Sequence, residues 1–442
     1  MTGVQMGKGR DTHPFLGRGV DGVRTAKSAA FDSRRRAMRL LAYGAVGFAV
    51  LSIVAEVTDS EALTGSGTFG AALRLALPIG LAGLGGLWAE RAGVVNIGLE
   101  GMLILGTWFG AYGGVEYGPW WGVAFGIAGG AMGGLLHAIA TVWFGVDHIV
   151  SGVAINLLGG GVARYLNIVV FDDRSGATQS PRVSGSVGRL DVPFLAGGDL
   201  FGWQSPSLFG WLERQDWPVV SDFGGLLFGL TGGVSFVVVL AITLFPLTWW
   251  ILWRTPFGLR LRSCGEDPVA AESLGVNVYR LKTIAVTISG ALAGLGGAVL
   301  VLVFASIYRE GQTAGRGFIG LAAMIFGNWR PGGLAMGAGL FGFIDALQLR
   351  DEASIHSMLL FAALLVAAVG VRSLLQRRHL VGGITLVVAG ALFAWWSLTD
   401  EYPSQWVAFT PHIVTLLVLA FASQRLRMPA ADGLVYRRGE AR

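Results

Sequence analysis

Long apolar runs separated by short polar segments set the pattern of this chain from residue 40 onward. A helix needs about 20 predominantly apolar residues to cross the hydrocarbon core of a bilayer. The runs predict an all-α polytopic membrane protein with about 10 to 12 transmembrane helices, although the run at 317–329 is too short to span unaided. The candidate runs are 40–57, 69–89, 99–117, 120–144, 149–171, 225–253, 283–305, 317–329, 332–349, 358–375, 380–398 and 406–423.

Basic clusters beside these runs predict the orientation, because Lys and Arg near span ends favour the cytoplasmic side. A cytoplasmic N-terminus places all the basic segments on one side and the acidic segments on the other. Both termini are then cytoplasmic, and the first run is an uncleaved anchor rather than a cleaved signal, since a long basic leader precedes it. The basic segments are 34–39, 254–282, 372–378 and 425–438, and the acidic ones are 59–61, 172–222 and 400–401.

The composition agrees with this class and narrows the function. Hydrophobic residues make up 53% of the 442 residues, and charged residues make up 14%, against about 25% in soluble proteins. The net charge of +5 comes mostly from Arg clusters at predicted membrane edges, which argues against nucleic-acid binding. The 69 glycines permit close helix packing. Cys264 is the single cysteine, which excludes an intrachain disulfide.

A short internal repeat indicates that the chain has two related halves. The sequence AGLGG occurs at 82–86 and again at 293–297, and IGL occurs at 97–99 and again at 319–321, in the same order. Under the predicted topology the two AGLGG segments run in opposite directions, as in the inverted repeats of many transporters. Chance recurrence in a Gly-rich, apolar chain is the alternative.

Enzyme and metal signatures are missing from the sequence. No GxxxxGK[ST] motif occurs, so the chain lacks the phosphate cradle of a P-loop ATPase and needs another source of energy. The six histidines show neither zinc-ligand spacing nor a place in a nucleophile elbow. The sequence therefore predicts a protein that is not an enzyme and holds no metal.

The polar segment 254–282 lies between two apolar runs and predicts one short helix. Asp267 suits the N-cap, Pro268 suits the first helical position, and Gly275 can end the helix. A short helix on the cytoplasmic side, held between two spans, can act as a lever on both of them.

Polar residues within apolar surroundings are candidates for a substrate pathway. The segments 90–101 and 306–317 interrupt two apolar runs, and broken helices often line such paths. A carboxylate such as Glu100 costs about 2.5–3.5 kcal/mol at membrane depth; the alternative is an interfacial charge paired with Arg91. Polar residues of the fifth run share one helix side, and structural hydrogen bonds between helices are the alternative for them. The pathway candidates are Asn96, Glu100, His148, Ser151, Asn156 and Arg316. Three other polar residues, Arg74, Arg164 and Asp345, are explained by snorkelling near helix ends.

Four segments together resemble the permease subunits of bacterial ABC importers, in the nucleoside and simple-sugar branch of the family that also serves branched-chain amino acids. The resemblance covers roughly residues 69–349 and resumes near 411–427. The segments are ERAGVVNIGLEGM at 90–102, HIVSGVAIN at 148–156, TPFGLRLRSCGEDPVAAESLGVNVYRLK at 255–282 and GRGFIGLAAMIFGNWRPGG at 315–333.

The resemblance implies an inverted-repeat permease core in the cell (cytoplasmic) membrane. It also implies a separate ATPase subunit that hydrolyses ATP, an extracytoplasmic substrate-binding lipoprotein and a second permease subunit, which would form a heterodimer with this chain. No cofactor is expected in the chain itself. A cytoplasmic coupling helix would dock on the ATPase. The coupling residues implied are Gly265, Glu266, Asp267, Pro268, Ala271, Glu272, Gly275 and Tyr279.

The resemblance favours nucleosides as substrates, with monosaccharides next, and an ion-coupled secondary transporter is the competing class. The predicted organisation is a basic tail at 1–37, a permease core at 38–350, two extra transmembrane helices at 351–404, and a terminal helix with a basic tail at 405–442. Within the core, 172–224 is an outer loop and 254–282 is the coupling loop. The two extra helices depart from the family pattern.

Overall fold

The computed structural model describes residues 38–39, 41–200, 202–215, 217–350, 353–399 and 426–439. These residues are predominantly helical. The helices are α1 Leu41–Val57, α2 Ser66–Arg91, α3 Leu99–Tyr117, α4 Pro119–Ala138, α5 His148–Ser175, α6 Leu208–Glu213, α7 Val220–Thr231, α8 Phe236–Arg254, α9 Pro256–Glu266, α10 Pro268–Ser273, α11 Val278–Val299, α12 Arg316–Phe326, α13 Pro331–Arg350, α14 Ala353–Leu375 and α15 His379–Leu398. Two of them continue as π-helical turns, α4 through Ile139–Trp143 and α11 through Leu300–Ala305.

Eight helices in the described part of the chain are long and apolar enough to cross a membrane, which confirms the all-α polytopic class. They are α2, α4, α5, α8, α11, α13, α14 and α15. The helix α3 has 19 residues and lies largely buried among them. The helix α12 has only 11 residues, as the short run at 317–329 indicated. The predicted basic tail at 1–37 and the predicted run at 406–423 lie outside the described residues.

Two details of the predicted pattern are wrong. The run at 225–253 is not one span, because the chain breaks at Gly232–Gly233, between α7 and α8. Gly233 has φ of +60°, a left-handed conformation that ends a helix and that glycine adopts without strain. The segment 254–282 contains two helices rather than one. The additional helix is α9, whose N-terminus is capped by the Thr255 hydroxyl accepting from the Gly258 amide at 3.2 Å.

Glycine contacts hold the centre of the bundle together. The helices α2, α3, α4 and α11 pack closely, and α4 lies against α11 backbone to backbone. A methyl group added at Gly130 would lie 2.2 Å from the Gly290 carbonyl oxygen, and one added at Gly294 would lie 2.3 Å from that of Gly126. Side chains larger than hydrogen therefore do not fit at this contact, in agreement with the close packing that the glycine content indicates.

The two AGLGG segments lie on α2 and α11, which run in opposite directions through the bundle. Gly83 of the first segment packs against the backbone of Gly320 on α12. Gly294 of the second packs against Gly106 on α3 in the same way. Each segment therefore contacts a helix from the other half of the chain, with the antiparallel direction that an inverted repeat requires.

The bundle has two ends. The first, which we call the α10 face, gathers the end of α2, the α4–α5 turn, α9, α10, the start of α13 and residues 426–439. The backbones of Gly93, Gly265 and Ala431 meet there, and a methyl group added at Gly93 would lie 3.1 Å from Gly265 Cα and 3.2 Å from the Ala431 oxygen. The second end is the ribbon face, where β1 (Arg189–Leu190) pairs with β4 (Val234–Ser235) antiparallel.

The described residues between 176 and 235 cover the ribbon face, and three tryptophans among them, Trp203, Trp211 and Trp217, are exposed there. A second short antiparallel ribbon joins β2 (Asp199–Leu200) to β3 (Trp203–Gln204). The Ser180 amide donates to the Tyr308 carbonyl at 3.0 Å, which ties this segment to the loop before α12.

The helices α14 and α15 form a hairpin at the edge of the bundle. Their contacts with each other are extensive, and α14 reaches the core through a small apolar cluster that includes Leu51, Val54, Leu347 and Leu360. The imidazole of His356 near the start of α14 lies 3.3 Å from the Thr399 hydroxyl that follows α15. The hairpin thus starts and ends at the same face.

Candidate functional site

The turn between α2 and α3 is held by amide side chains that the sequence predicted as pathway residues. Asn96 is fully buried; its side-chain amide donates to the Ser289 hydroxyl at 2.8 Å, and its oxygen accepts from the Gly98 amide at 3.0 Å. Asn156 on α5 accepts from the Gly101 amide at 2.8 Å and donates to the Ile97 carbonyl at 3.0 Å. These bonds favour the interpretation that both residues fix the turn.

From the first part of α5, His148 contacts the same turn directly and Ser151 is linked to it through His137. His148 Nδ1 accepts from the Val95 amide at 3.3 Å. The Ser151 hydroxyl lies 2.8 Å from Nδ1 of His137, whose Nε2 lies 3.1 Å from the Val95 carbonyl oxygen. Sequence reasoning missed His137, because its place on α4 gave no sign that it reaches this turn. The polar face of α5, together with His137 on α4, is therefore linked by hydrogen bonds to the turn between α2 and α3.

Glu100 is bound to the start of α12. Its two carboxylate oxygens accept from the backbone amides of Gly315, at 3.0 Å, and Gly317, at 2.7 Å. Free amides at a helix N-terminus favour a negative charge, so this position stabilises the buried carboxylate. The alternative, an interfacial Glu100 paired with Arg91, is wrong, since Arg91 instead donates to the Trp329 carbonyl at 2.7 Å.

Arg316, the remaining pathway candidate, makes a largely buried ion pair. Its guanidinium lies 3.0 Å from the Asp345 carboxylate on α13, and the side chains are 13% and 10% exposed. Asp345 is thus an ion-pair partner inside the bundle, and its assignment as a snorkelling residue is wrong. The loop before α12 also contributes Glu310, which lies 3.6 Å from Arg164 on α5.

A cavity of about 370 Å³ opens beside this loop at the ribbon face. Its lining combines hydroxyl, guanidinium and amide groups with two glycines of α5, Gly160 and Gly161, next to which a methyl group would meet open space. The side-chain nitrogen of Gln312 in this lining is buried and has no hydrogen-bond partner in the structure. The sequence singled out the loop at 306–317 as a pathway candidate, but nothing in it indicated that Thr107, Gly160 and Gly161 on the opposing helices line the same cavity. The lining residues are Ile104, Thr107, Gly160, Gly161, Arg164, Tyr308, Arg309, Glu310, Gly311, Gln312 and Thr313.

The helix α10 forms where the sequence predicted it. The Asp267 carboxylate accepts from the Ala270 amide at 2.9 Å, Pro268 occupies the first helical position, and Gly275 has φ of +83° after the last turn. Ala271 is buried against α9 and α11, whereas Leu274 is 85% exposed. The helix therefore has one face anchored in the bundle and one face free.

The remaining coupling candidates attach α10 to its neighbours. Gly265 packs so closely that a methyl group there would lie 2.4 Å from the Arg91 carbonyl oxygen. The Tyr279 ring lies 5.6 Å from the rings of both Trp143 and Tyr436. Glu266 and Glu272 both contact residues 426–439, an association that nothing in the sequence indicated. Next to them, burial raises the pKa of the Cys264 thiol to about 11, so this cysteine stays unreactive at neutral pH.

Metal chemistry finds no support in the described residues, where no group of three or more His, Cys, Asp or Glu side chains could hold an ion. The arrangement offers two candidate functional regions instead. One is a polar cavity at the ribbon face, and the other is an anchored helix with an exposed apolar surface at the α10 face.

Comparison with known proteins identifies the family. Residues 68–369 match the family described as branched-chain amino acid transport system / permease component. The guanosine ABC transporter permease protein NupQ of Bacillus subtilis is 34% identical, over 84% of this chain and 96% of the relative. The nucleoside ABC transporter permease protein NupC of Lactococcus lactis is 32% identical, over 81% and 93%. The guanosine ABC transporter permease protein NupP of Bacillus subtilis is 25% identical, over 71% and 83%.

No solved structure matches the chain at a significant level. The family match covers most of the apolar bundle, from the start of α2 into α14, and the relatives extend over most of their own length. It confirms the resemblance found in the sequence. The chain therefore belongs to the branched-chain amino acid transport system / permease component family, as a multi-pass membrane subunit of an ABC importer that is not itself an enzyme and relies on a partner ATPase and a binding protein.

Proposed function

We propose that this chain forms part of the path by which an ABC importer takes up nucleosides. The observation that carries the proposal is the match to a guanosine permease at 34% identity along 96% of that protein. The similarity to a nucleoside permease of a second organism supports the same substrate class. Monosaccharides are the second candidate class, because the sequence resembles the branch that also carries simple sugars.

The α10 face is the cytoplasmic side in this proposal, and α10 docks on the ATPase. The basic segments 254–282 and 425–438 support this orientation, since positive charge near spans favours the cytoplasm. Both termini are then cytoplasmic. The exposed Leu274 and the half-exposed Val269 form the docking surface, while Asp267, Pro268 and Gly275 shape the helix. Movement of the ATPase subunits would displace α10 and, through it, the ends of α9 and α11.

The ribbon face then receives substrate from a binding lipoprotein, and the cavity beside the loop before α12 is the outer part of the path. Its hydroxyl, amide and charged groups suit the many hydrogen-bonding groups of a nucleoside. Arg316 and Glu100 position the α12 segment that borders it, and Asn96, His148, Ser151 and Asn156 hold the α2–α3 turn on which α3 begins. A second, different permease subunit completes the path. Similarity to both NupQ and NupP, two guanosine permeases of one organism, supports this heterodimer.

The substrate is tested by uptake of labelled guanosine in cells with and without this chain, with excess unlabelled adenosine, ribose or leucine as competitor. Loss of uptake on deletion, and competition by adenosine alone, are expected for a nucleoside importer. Unchanged guanosine uptake in a strain without other guanosine importers overturns the nucleoside assignment. Competition by ribose shifts it to sugars.

The energy source is tested in proteoliposomes that contain the complete complex. Uptake is expected to require internal ATP and to persist when proton and sodium gradients are collapsed. Uptake that follows an ion gradient without ATP would identify an ion-coupled secondary transporter instead.

The path is tested by filling the cavity. Gly161→Phe places a ring where the structure has open space and is expected to block uptake while the ATPase still co-purifies. Gly390→Phe on α15, where space is also open, serves as the matched control and should transport normally. Equal uptake by both variants would exclude this cavity from the path.

The docking surface is tested at Leu274, since a charge there removes apolar contact without disturbing the buried side of α10. Leu274→Asp is expected to lose ATPase co-purification with normal membrane insertion. Leu398→Asp, at a leucine 82% exposed near the ribbon face, should retain the ATPase. Undiminished co-purification with Leu274→Asp would refute docking through α10.

A further inference from the structure

We propose that residues 426–439, which we call the C-terminal clasp, are a positioning element that fixes α10 relative to α9 and α11. The inference rests on the proposed coupling role of α10 and adds a part of this chain that controls it. The clasp would determine how fully a displacement of α10 reaches the membrane helices.

Backbone amides of the first half of the clasp donate hydrogen bonds to two separate parts of the α10 face. The Ala431 amide donates to the Gly265 carbonyl at 2.9 Å, and the Ala430 amide donates to the Glu266 carboxylate at 3.3 Å. The Arg427 amide donates to the Asn328 side chain at 2.8 Å, in the loop between α12 and α13. The clasp therefore bridges the end of α9 and the loop between α12 and α13.

The second half of the clasp contacts the last turn of α10. The Glu272 carboxylate accepts a hydrogen bond from the Tyr436 hydroxyl and lies 2.7 Å from the Arg438 guanidinium. The Tyr436 ring in turn packs 5.6 Å from the Tyr279 ring on the first turn of α11. One side chain of the clasp thus contacts both α10 and α11, and the short connection between these helices is reinforced from outside.

Burial shows that the clasp is packed into the face around Ala431 and Asp432. Ala431 and Asp432 are 6% and 9% exposed. A methyl group added at Gly93, which follows α2, would lie 3.1 Å from Gly265 Cα of α9 and 3.2 Å from the Ala431 oxygen of the clasp, so the three segments pack closely. Because the three backbones are in contact, α9 cannot shift against α2 without moving the clasp.

The surface that the clasp uses differs from the surface proposed to dock on the ATPase. Glu272 faces the clasp and is 28% exposed, while Leu274 stands out into solvent. The clasp can therefore hold α10 while the ATPase is bound. Substitution of Glu272 alone changes the clasp contact as well as the charge of α10, so a single variant does not distinguish the two roles.

A charge exchange separates these roles. The variants are Glu272→Arg, Arg438→Glu and the double exchange, with Arg280→Glu on the exposed start of α11 as the control for charge. Hydrogen exchange of the α10 amides is measured on the complete permease without the ATPase. Each single variant is expected to raise the exchange rate about three- to tenfold, because a charge-assisted contact is lost and like charges face each other. The double exchange should return within about twofold of the original, and the control should not differ.

The second readout is ATP hydrolysed per nucleoside imported by the complete complex. The single variants are expected to hydrolyse more ATP per nucleoside while retaining the ATPase, and the double exchange should restore the ratio. Unchanged α10 exchange in both single variants would overturn the clasp proposal. A double exchange as defective as Glu272→Arg would also overturn it, since Glu272 would then act on the ATPase itself. If the Leu274→Asp variant still binds the ATPase, the proposed docking through α10 is refuted. The hydrogen-exchange measurement, made without the ATPase, still tests the clasp contact by itself.

Discussion

Gly130→Ala tests whether backbone contact between α4 and α11 holds the centre of the bundle. The added methyl group would lie 2.2 Å from the Gly290 oxygen and 2.5 Å from the Gly294 Cα, where ordinary contact begins at 3.4 Å. All the atoms that it meets belong to backbone, so no side chain can rotate away. The two helices would have to separate by about 1.2 Å, the difference between 3.4 and 2.2 Å.

The expected cost is about 1–3 kcal/mol, the usual range for overpacking a well-packed interior. Separation at Gly130 also weakens neighbouring contacts, since Gly126 and Gly134 approach α11 in the same manner. In detergent, the Tm of the variant should fall by on the order of 5 °C. Gly390→Ala on α15 is the matched control, because the same methyl group there meets open space.

An unchanged Tm for Gly130→Ala would refute the close packing of α4 on α11. An equal fall in both variants would attribute the loss to helix chemistry rather than to contact between helices. Transport should fall together with stability, because α11 connects this interface to α10.

Three other predictions follow from polar contacts. Asp345→Asn leaves the buried Arg316 charge unpaired and should destabilise the protein by about 3–5 kcal/mol, measured by denaturation in detergent; a loss below 1 kcal/mol would contradict the ion pair. Glu100→Gln removes the charge at the first amides of α12 and should cost about 1–2 kcal/mol, with Glu100→Ala costing more; equal stability of all three proteins would exclude the contact. Burial raises the pKa of the Asp432 carboxyl from 3.8 to about 7 when the clasp is docked. Docking should therefore be strongest below pH 4, where this carboxyl is protonated in both states. It should weaken by at most about 4 kcal/mol as the pH rises from 4 through 7 and the buried carboxyl must ionise. Hydrogen exchange at Ala431, corrected for intrinsic rates, should lose this pH dependence in Asp432→Asn.

Local signals in the sequence were sufficient to predict α10. The cap at Asp267, the proline at 268 and the glycine at 275 each act on the backbone close to their own positions, and the structure has the helix between them. The long apolar spans were predictable for a similar reason, since length and hydropathy are properties of one segment. The break between α7 and α8 was missed because glycine is common throughout these runs, and composition does not distinguish a packed glycine from one with positive φ.

Partners distant in sequence were beyond prediction. Glu100 bonds to amides more than 200 positions later, and its role changes with that contact from an interfacial charge to a helix-terminal anchor. Arg316 was correctly identified as unusual, but its ion pair with Asp345 depends on how α12 and α13 fold back on each other. The basic residues of the clasp indicated its side of the membrane but not its contacts, because a short segment without periodicity does not show which surface it packs on.

The α14–α15 hairpin has a consequence for how this membrane architecture can vary. Its first and last turns meet at one face, as the contact between His356 and Thr399 shows. A pair of spans that returns to its starting side does not change the topology of the rest of the chain. Every segment before and after the pair stays on the same side of the membrane whether the pair is present or absent. Related permeases could thus gain or lose such a pair as a unit, whereas a single additional span would invert all that follows.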